Sequence, residues 1–136
     1  MSDSQEATPP VVKRALVAGH ADFAFGLVSA VELITGRGAV LVPIQVKGLC
    51  GEDIQKLLHD TMVSSGVRVI FTDLQAGSCT MAARRVLREL GDGTLVAGAN
   101  LPMLLDFVMS ANGDAAAAAT AAERGRAAVS VHGGSA

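Results

Sequence analysis

The sequence lacks several features that would each assign it to a known class of protein. Its 2 cysteines, Cys50 and Cys79, form no CxxC pair, and sparse cysteines without a secretion signal are usually reduced thiols, so we expect no disulfide. The 11 basic and 13 acidic side chains give a net charge of −2. Their only notable basic group is Arg84, Arg85 and Arg88, which argues against a nucleic-acid partner.

Targeting and nucleotide-binding motifs are missing as well. The opening stretch "MSDSQEATPP" has neither the basic nor the apolar region of a signal peptide, and no apolar run reaches the roughly 18 residues that cross a bilayer. We therefore expect a cytoplasmic protein. There is no GxxxxGK[ST] loop, and "GRG" at 36–38 is not a GxGxxG fingerprint, so no nucleotide or other cofactor is expected.

The length and composition favour a single domain. Half of the 136 residues are hydrophobic, which is enough to bury a proper core. We assign this domain to residues 11–132. We expect a disordered tail over 1–10 and a frayed C-terminus over 133–136.

Strand-like and helix-like segments alternate along the chain. Apolar runs predict strands at 11–18, 39–46, 67–72 and 94–98. Periodic segments predict helices at 22–35, 52–65, 79–90, from about 101 onward, and 114–126. This alternation predicts an α/β fold with a mostly parallel, doubly wound sheet and helices on both faces. The stretch "AAVSVH" at 127–132 is predicted to add a short edge strand.

Three loops follow predicted strands and should lie at one edge of the sheet, where open parallel sheets bind ligands. They read "GHAD", "TDLQAGSCT" and "GANLPM". If the strand order is the common 2-1-3-4, His20 and Asp73 face each other across neighbouring strands. A carboxylate bonded to one imidazole nitrogen fixes the tautomer and leaves the other nitrogen free as a nucleophile.

Ser78 lies where the second of these loops turns into a helix. Its hydroxyl and the first free backbone N–H groups of that helix could receive an anion, such as a phosphoryl group carried by His20. Asn100 and Pro102 are predicted to shape a helix start close to the same edge.

Other interpretations of these residues are open at this point. Asp73 could simply cap its loop and Ser78 its helix, while His59 and His132 are expected to be solvated. A Ser78–His20–Asp73 hydrolase would lack the G-x-S-x-G elbow. Zinc bound by His20 with the two cysteines would match no standard ligand spacing, so no metal is expected.

Three segments together are similar to a known family. The stretches "GHADFAFGL", "FTDLQAGSCTMAAR" and "GANLPMLLDFV" resemble the GHG, D-x-x-G-G-S-P and G-x-N-x-P-M-L signatures of enzyme IIA of the mannose family in the bacterial sugar phosphotransferase system (PTS). The resemblance spans about residues 14–110. It implies a dimer of parallel α/β domains whose last, antiparallel strand is exchanged between subunits, a strand that "AAVSVH" would supply.

The resemblance also implies an activity, that of a phosphotransferase. His20 would accept a phosphoryl group from the histidine phosphocarrier protein HPr and pass it to enzyme IIB, which serves a sugar permease in the membrane. Asp73 would orient His20. Gly77, Ser78 and Cys79 would contact the phosphoryl group, with Asn100 and Pro102 in a neighbouring site loop.

The sequence departs from the family signatures at three positions. Ala21 and Ala76 stand where the family has glycines, and Cys79 replaces its proline. A β-carbon restricts any backbone that needs positive φ, so the loops at 21 and 76 are where the geometry could differ. An alternative role is therefore a regulatory phosphoprotein of the same fold, read by another protein.

Overall fold

The computed structural model describes residues 10–134 as four strands and five α-helices. Residues 1–9 of the tail predicted over 1–10, and residues 135 and 136 of the frayed end predicted over 133–136, lie outside the described residues. The strands are β1 (Ala15–Ala18), β2 (Leu41–Pro43), β3 (Val69–Thr72) and β4 (Thr94–Ala97). The helices are α1 (Phe23–Thr35), α2 (Gly51–Ser65), α3 (Ser78–Leu90), α4 (Leu101–Met109) and α5 (Asp114–Ala127).

The four strands pair in the order β2-β1-β3-β4, and every pairing is parallel. This confirms the predicted α/β fold and its strand order. Each connection between consecutive strands contains a helix. The three helices α1, α2 and α3 each end at a glycine whose backbone is in the left-handed region. Those glycines are Gly36, Gly66 and Gly91, the residues at which the helical pattern stops in the sequence.

Helices cover both faces of the sheet, because alternate strand residues point to opposite sides. Val17 and Phe71 point toward α1, α4 and α5, where Phe71 meets Phe107 edge to face with ring centroids 5.0 Å apart. Leu16 and Ile70 point toward α2 and α3. None of the helices in the described chain combines the length and apolarity needed to cross a bilayer.

Arg14 ties the start of the sheet to the last two helices. Its Nε donates to Asp114 Oδ1 at 2.8 Å, and one terminal nitrogen donates to the carbonyls of Phe107 and Ser110 at 3.0 and 3.2 Å. The guanidinium also lies 4.4 Å from the centre of the Phe107 ring. A single side chain therefore joins the end of α4 and the start of α5 to the residue that precedes β1.

The edge strand predicted at 127–132 is absent from the fold of the single chain. Ala127 is the last residue of α5, and residues 128–134 are exposed and form neither helix nor strand. Apolar and polar residues do alternate in this segment, but a strand forms only where its backbone can make hydrogen bonds to a neighbouring strand. The first strand is also shorter than predicted, since residues 11–13 are exposed before the buried run begins.

Candidate active site

The candidate site lies at the carboxyl edge of the sheet, above its two central strands. His20 follows β1 by two residues, and Asp73 follows β3 directly. The parallel pairing of Ala18 with Thr72 brings the two loops to the same height. This edge is where connections leave β1 and β3 in opposite directions, the usual place for a ligand in such sheets.

The structure brings His20 and Asp73 into direct contact. The backbone N–H of His20 donates to Asp73 Oδ2 at 2.8 Å, and Nδ1 of the imidazole lies 2.8 Å from the same oxygen. The carboxylate is only 11% exposed, whereas the imidazole is 60% exposed. The Asp73 carboxylate is therefore largely covered by the protein, and the His20 imidazole is accessible to solvent.

The protonation states follow from these contacts. Burial is the largest single influence on the Asp73 carboxyl and would raise its pKa, but the hydrogen bonds from the backbone and imidazole of His20 together outweigh it, so the pKa of Asp73 lies below its usual value. An ionised Asp73 carboxylate can accept a hydrogen bond from Nδ1 only when Nδ1 carries a hydrogen. In neutral His20 the free lone pair is then on Nε2, the ring nitrogen that does not contact Asp73.

Gly19 permits this close contact, and the sequence analysis did not single it out. A β-carbon at this position would lie 2.9 Å from Cγ of Asp73 and 2.7 Å from Cδ2 of Phe23, closer than real β-carbons approach such atoms. Its requirement is space, because Gly19 does not have positive φ. The signal in the sequence was the glycine that opens the GHG-like segment.

The N-terminus of α3 lies beside the His20 ring. Gly77 is the N-cap residue, and no side chain caps this helix end. A β-carbon on Gly77 would be 3.3 Å from Cε1 of His20, the carbon between the two ring nitrogens. The first backbone bond of the helix joins the N–H of Met81 to Gly77, so the N–H groups of residues 78–80 have no carbonyl partner within the helix. Such a terminus favours an anion.

Ser78 and Cys79, the first residues of α3, have different surroundings. Ser78 is exposed. The Cys79 side chain is buried in the core between the sheet and α2 and α3. Burial, with a smaller contribution from the Asp73 carboxylate, raises the pKa of the Cys79 thiol. Cys79 thus presents its backbone to the site, while its thiol is part of the core.

Asn100 and Pro102 lie at the start of α4. The Asn100 side chain accepts from the N–H of Met103 at 3.0 Å and donates to the carbonyl of Gly125 at 2.9 Å. Pro102 is in the first turn of the helix. The hydrogen bonds of Asn100 therefore cap α4 and fasten α5, and they involve neither His20 nor Asp73.

The two alanines that replace family glycines differ in their backbone. Ala21 has φ of 48° and is the one residue other than glycine with positive φ between residues 10 and 134. That conformation costs an L-residue about 1–2 kcal/mol. Ala76 does not have positive φ, so its methyl group brings no such strain. Alanine at position 21 therefore introduces backbone strain next to His20, whereas alanine at position 76 introduces no such strain.

The remaining histidines and cysteines lie apart from this arrangement. His59 is on α2, 3.4 Å from Asp60, and His132 is exposed near the C-terminus. Cys50 is exposed and donates to Asp53. Over residues 10–134, no three His, Cys, Asp or Glu side chains are grouped so that they could hold a metal ion.

Comparison with known proteins gives a consistent family. The model of the EIIA-man family, described as PTS system fructose IIA component, matches residues 14–123. No curated protein sequence matches the chain.

Solved structures share the fold. The mannose/sorbose-specific IIA subunit of the phosphotransferase system from Enterococcus faecalis is 20% identical, with a TM-score of 0.76 over 93% of this chain and 98% of that one. The phosphotransferase system component EIIA from Streptococcus agalactiae is 24% identical, with a TM-score of 0.68 over 82% of this chain and 93% of that one. A sigma-54 interaction domain protein from Enterococcus faecalis is 11% identical, with a TM-score of 0.65 over 82% of this chain and 87% of that one.

Proposed function

The chain belongs to the PTS fructose IIA component family, whose model matches residues 14–123, and from that premise we propose that it is a phosphocarrier with His20 as its phosphoacceptor. In this proposal HPr donates the phosphoryl group and enzyme IIB receives it, for carbohydrate uptake through a membrane permease. The protein then acts in the cytoplasm, where those carriers meet it. It needs no metal or nucleotide of its own, because the donor brings the activated group.

The observation that carries the proposal is the pose of His20. Its Nδ1 is held by a carboxylate that is only 11% exposed, so the lone pair of the neutral ring is on Nε2, and the side chain that carries it is 60% exposed. Cε1, the ring carbon next to Nε2, lies against the N-cap residue of α3. A phosphoryl group on Nε2 would thus be close to a helix terminus that favours negative charge.

The transfer step follows from that geometry. Nε2 attacks the phosphorus of the donor phosphohistidine, an N–P bond forms on His20, and the N–P bond in HPr breaks, which returns its electron pair to the donor imidazole. Asp73 stabilises the positive charge that the His20 ring gains, through the bond to Nδ1–H. The N–H groups of residues 78–80 face the phosphoryl oxygens. Catalysis then consists of positioning and charge stabilisation.

Exposed apolar side chains near the site favour a protein as the donor. Leu74 follows Asp73 in the same loop, and Met81 is in the first turn of α3; both are large, apolar and about half exposed. Such residues around a polar centre are typical of surfaces that bind other proteins.

The experiment that tests the function is incubation with phosphoenolpyruvate, enzyme I and HPr, followed by intact mass spectrometry. The proposal expects the mass of one phosphoryl group to be added, and only when all three are present. A chain that stays unmodified would contradict it.

The alternative of a hydrolase with Ser78 as nucleophile has less support, because no hydrogen bond joins Ser78 to His20 in the part of the chain that the structure describes. Labelling of Ser78 by a fluorophosphonate would favour the hydrolase.

A regulatory role is the second candidate, since a sigma-54 interaction domain protein has the same fold. Both roles require phosphorylation of His20, and they differ in what then happens to the phosphoryl group. Adding enzyme IIB separates the two roles. A carrier loses its phosphoryl group to IIB, whereas a regulatory phosphoprotein retains it.

We also propose that the protein is a homodimer in which residues 128–134 add to the sheet of a second copy. Among residues 10–134, no strand pairs with the outer edge of β4, which borders a cavity of about 520 Å³, lined in part by Asn100 and Val129. The exposed segment alternates apolar and polar residues, with Val131 93% exposed. An extended segment can pair with such an edge.

We expect sedimentation equilibrium to show a dimer for the full chain and a monomer for a chain that is ended after Ala127. A truncated chain that stays dimeric would contradict strand exchange.

A further inference from the structure

We propose that Thr80 is a positioning residue for Asp73 and that it acts through both chain neighbours of Asp73. The inference rests on the function proposed above for His20. Thr80 is in the first turn of α3, but its hydroxyl reaches back to the end of β3. Neither the apolar pattern nor the family signatures single it out.

One hydroxyl holds both sides of Asp73. Thr80 Oγ1 donates to the carbonyl of Leu74, and Thr72 Oγ1 lies 2.7 Å from Thr80 Oγ1. A hydroxyl has a single hydrogen to donate. Because that of Thr80 is used on Leu74, Thr72 is the donor in the second bond. The three groups form a short chain that spans Asp73.

The loop that carries Asp73 has little else to fix it. Outside the helices and strands of the described chain, no backbone–backbone hydrogen bond involves residues 73–76, although the carbonyl of Thr72 accepts from Gly98 and Ala99. The strand end is therefore anchored, and His20 holds the Asp73 side chain. In the described chain, the bond from Thr80 to Leu74 is the one hydrogen bond from a side chain to the backbone of residues 73–76. That bond therefore contributes to the pose of Asp73.

Burial makes the hydroxyl hard to replace by water. The side chains of Thr72 and Thr80 are 0% and 2% exposed. Removing the hydroxyl of Thr80 would leave the buried hydroxyl of Thr72 without its acceptor, and buried polar groups without partners are destabilising. The loop can relieve this only by shifting, and a shift moves Asp73.

Such a shift would act directly on His20. Both bonds from His20 end on the same carboxylate oxygen, Oδ2, so a displacement of Asp73 weakens both at once. The preference for the Nδ1–H tautomer would then be lost, and with it the lone pair on Nε2. The readout that distinguishes positioning from folding is therefore the tautomer of His20.

The test compares Thr80→Val, which keeps the shape and removes the hydroxyl, with Thr80→Ser, which keeps the hydroxyl. Nitrogen-15 NMR of the histidine rings reports the tautomer, and phosphoryl uptake from HPr reports the consequence. We expect Thr80→Val to lose the Nδ1–H preference and to take up phosphoryl about 10-fold more slowly, less than the roughly 100-fold that a 1 Å misplacement can cost. Thr80→Ser should restore both.

Thr61→Val is the matched control. Thr61 is on α2, and its hydroxyl donates to the carbonyl of Leu57 at 2.7 Å, so the substitution removes a similar bond away from the site. It should leave the His20 tautomer and the uptake rate unchanged. If Thr80→Val fails to fold, Thr80→Ala, which also removes the hydroxyl, takes its place with the same readouts.

The outcomes separate the two proposals. A Thr80→Val protein, or Thr80→Ala in its place, with the wild-type tautomer would overturn the positioning role, whatever the uptake rate. A wild-type protein that HPr does not phosphorylate would overturn the phosphocarrier function. In that case the NMR comparison still decides whether Thr80 holds Asp73 against His20.

Discussion

Replacing His20 by glutamine abolishes phosphoryl uptake from HPr, if Nε2 of His20 is the acceptor. Glutamine retains a polar side chain at an exposed position but has no imidazole lone pair to attack phosphorus. Intact mass spectrometry after incubation with phosphoenolpyruvate, enzyme I and HPr should show the unmodified variant only. Because His20 is 60% exposed, the substitution should leave the fold intact, which circular dichroism can verify.

His59→Gln is the control for this prediction. His59 is half-exposed on α2, and Asp60 is its one side-chain hydrogen-bond partner in the described structure, so its loss should leave phosphorylation at the wild-type level. The wild-type adduct should be lost in acid, as expected for a phosphoramidate, and not persist as a serine ester would. Phosphorylation that survives in His20→Gln would place the acceptor elsewhere.

Replacing Gly19 by alanine should disrupt both the site and the fold. The added methyl group would lie 2.9 Å from the Asp73 carboxylate and 2.7 Å from the Phe23 ring, so at least one of them must move. Overpacking of this kind costs about 1–3 kcal/mol in the free energy of unfolding. If Asp73 moves by about 1 Å, uptake of phosphoryl should fall by roughly 100-fold. Urea denaturation and the HPr uptake rate measure the two effects.

Gly26→Ala is the matched control for Gly19→Ala. Gly26 lies on the exposed side of α1, only seven positions away, and a β-carbon there meets nothing within 4 Å. Alanine in a helix interior is favoured over glycine by about 0.5–1 kcal/mol, so this variant should be slightly more stable. Its uptake rate should equal that of the wild type. A Gly19→Ala protein with wild-type stability and uptake would show that the site does not depend on this close approach.

Much of the fold could be predicted from local patterns. The apolar runs and the helical periods identify β1–β4 and α1–α5, and glycines mark the ends of three helices, because each of these signals depends on residues close in sequence. The segment 127–132 could not be predicted in this way. Its pattern suits a strand, but whether it forms one depends on a neighbouring backbone that local sequence does not specify.

The candidate site also contains features that could be predicted from the sequence and features that could not. The contact between His20 and Asp73 could be predicted, because a strand order of 2-1-3-4 makes their loops neighbours. The need for glycine at 19 could not be predicted, since it depends on differences of a few tenths of an ångström in the distance between segments more than fifty residues apart. The hydrogen bond from Thr80 to Leu74 could not be predicted either, because it depends on how α3 is oriented relative to the loop that precedes it. The burial of the Cys79 thiol likewise follows from packing of α3 on the sheet. The chemical roles assigned to these residues stay predictions until phosphorylation is measured.

The bond between Arg14 and Asp114 sets an order for folding during synthesis. The two residues are 100 positions apart, so the partners of the arginine emerge from the ribosome long after the arginine itself. Until then a strand at the centre of the sheet has one of its faces without α4 and α5. Contacts of such long range slow folding. We therefore expect this domain to reach its native state only after α5 has emerged from the ribosome.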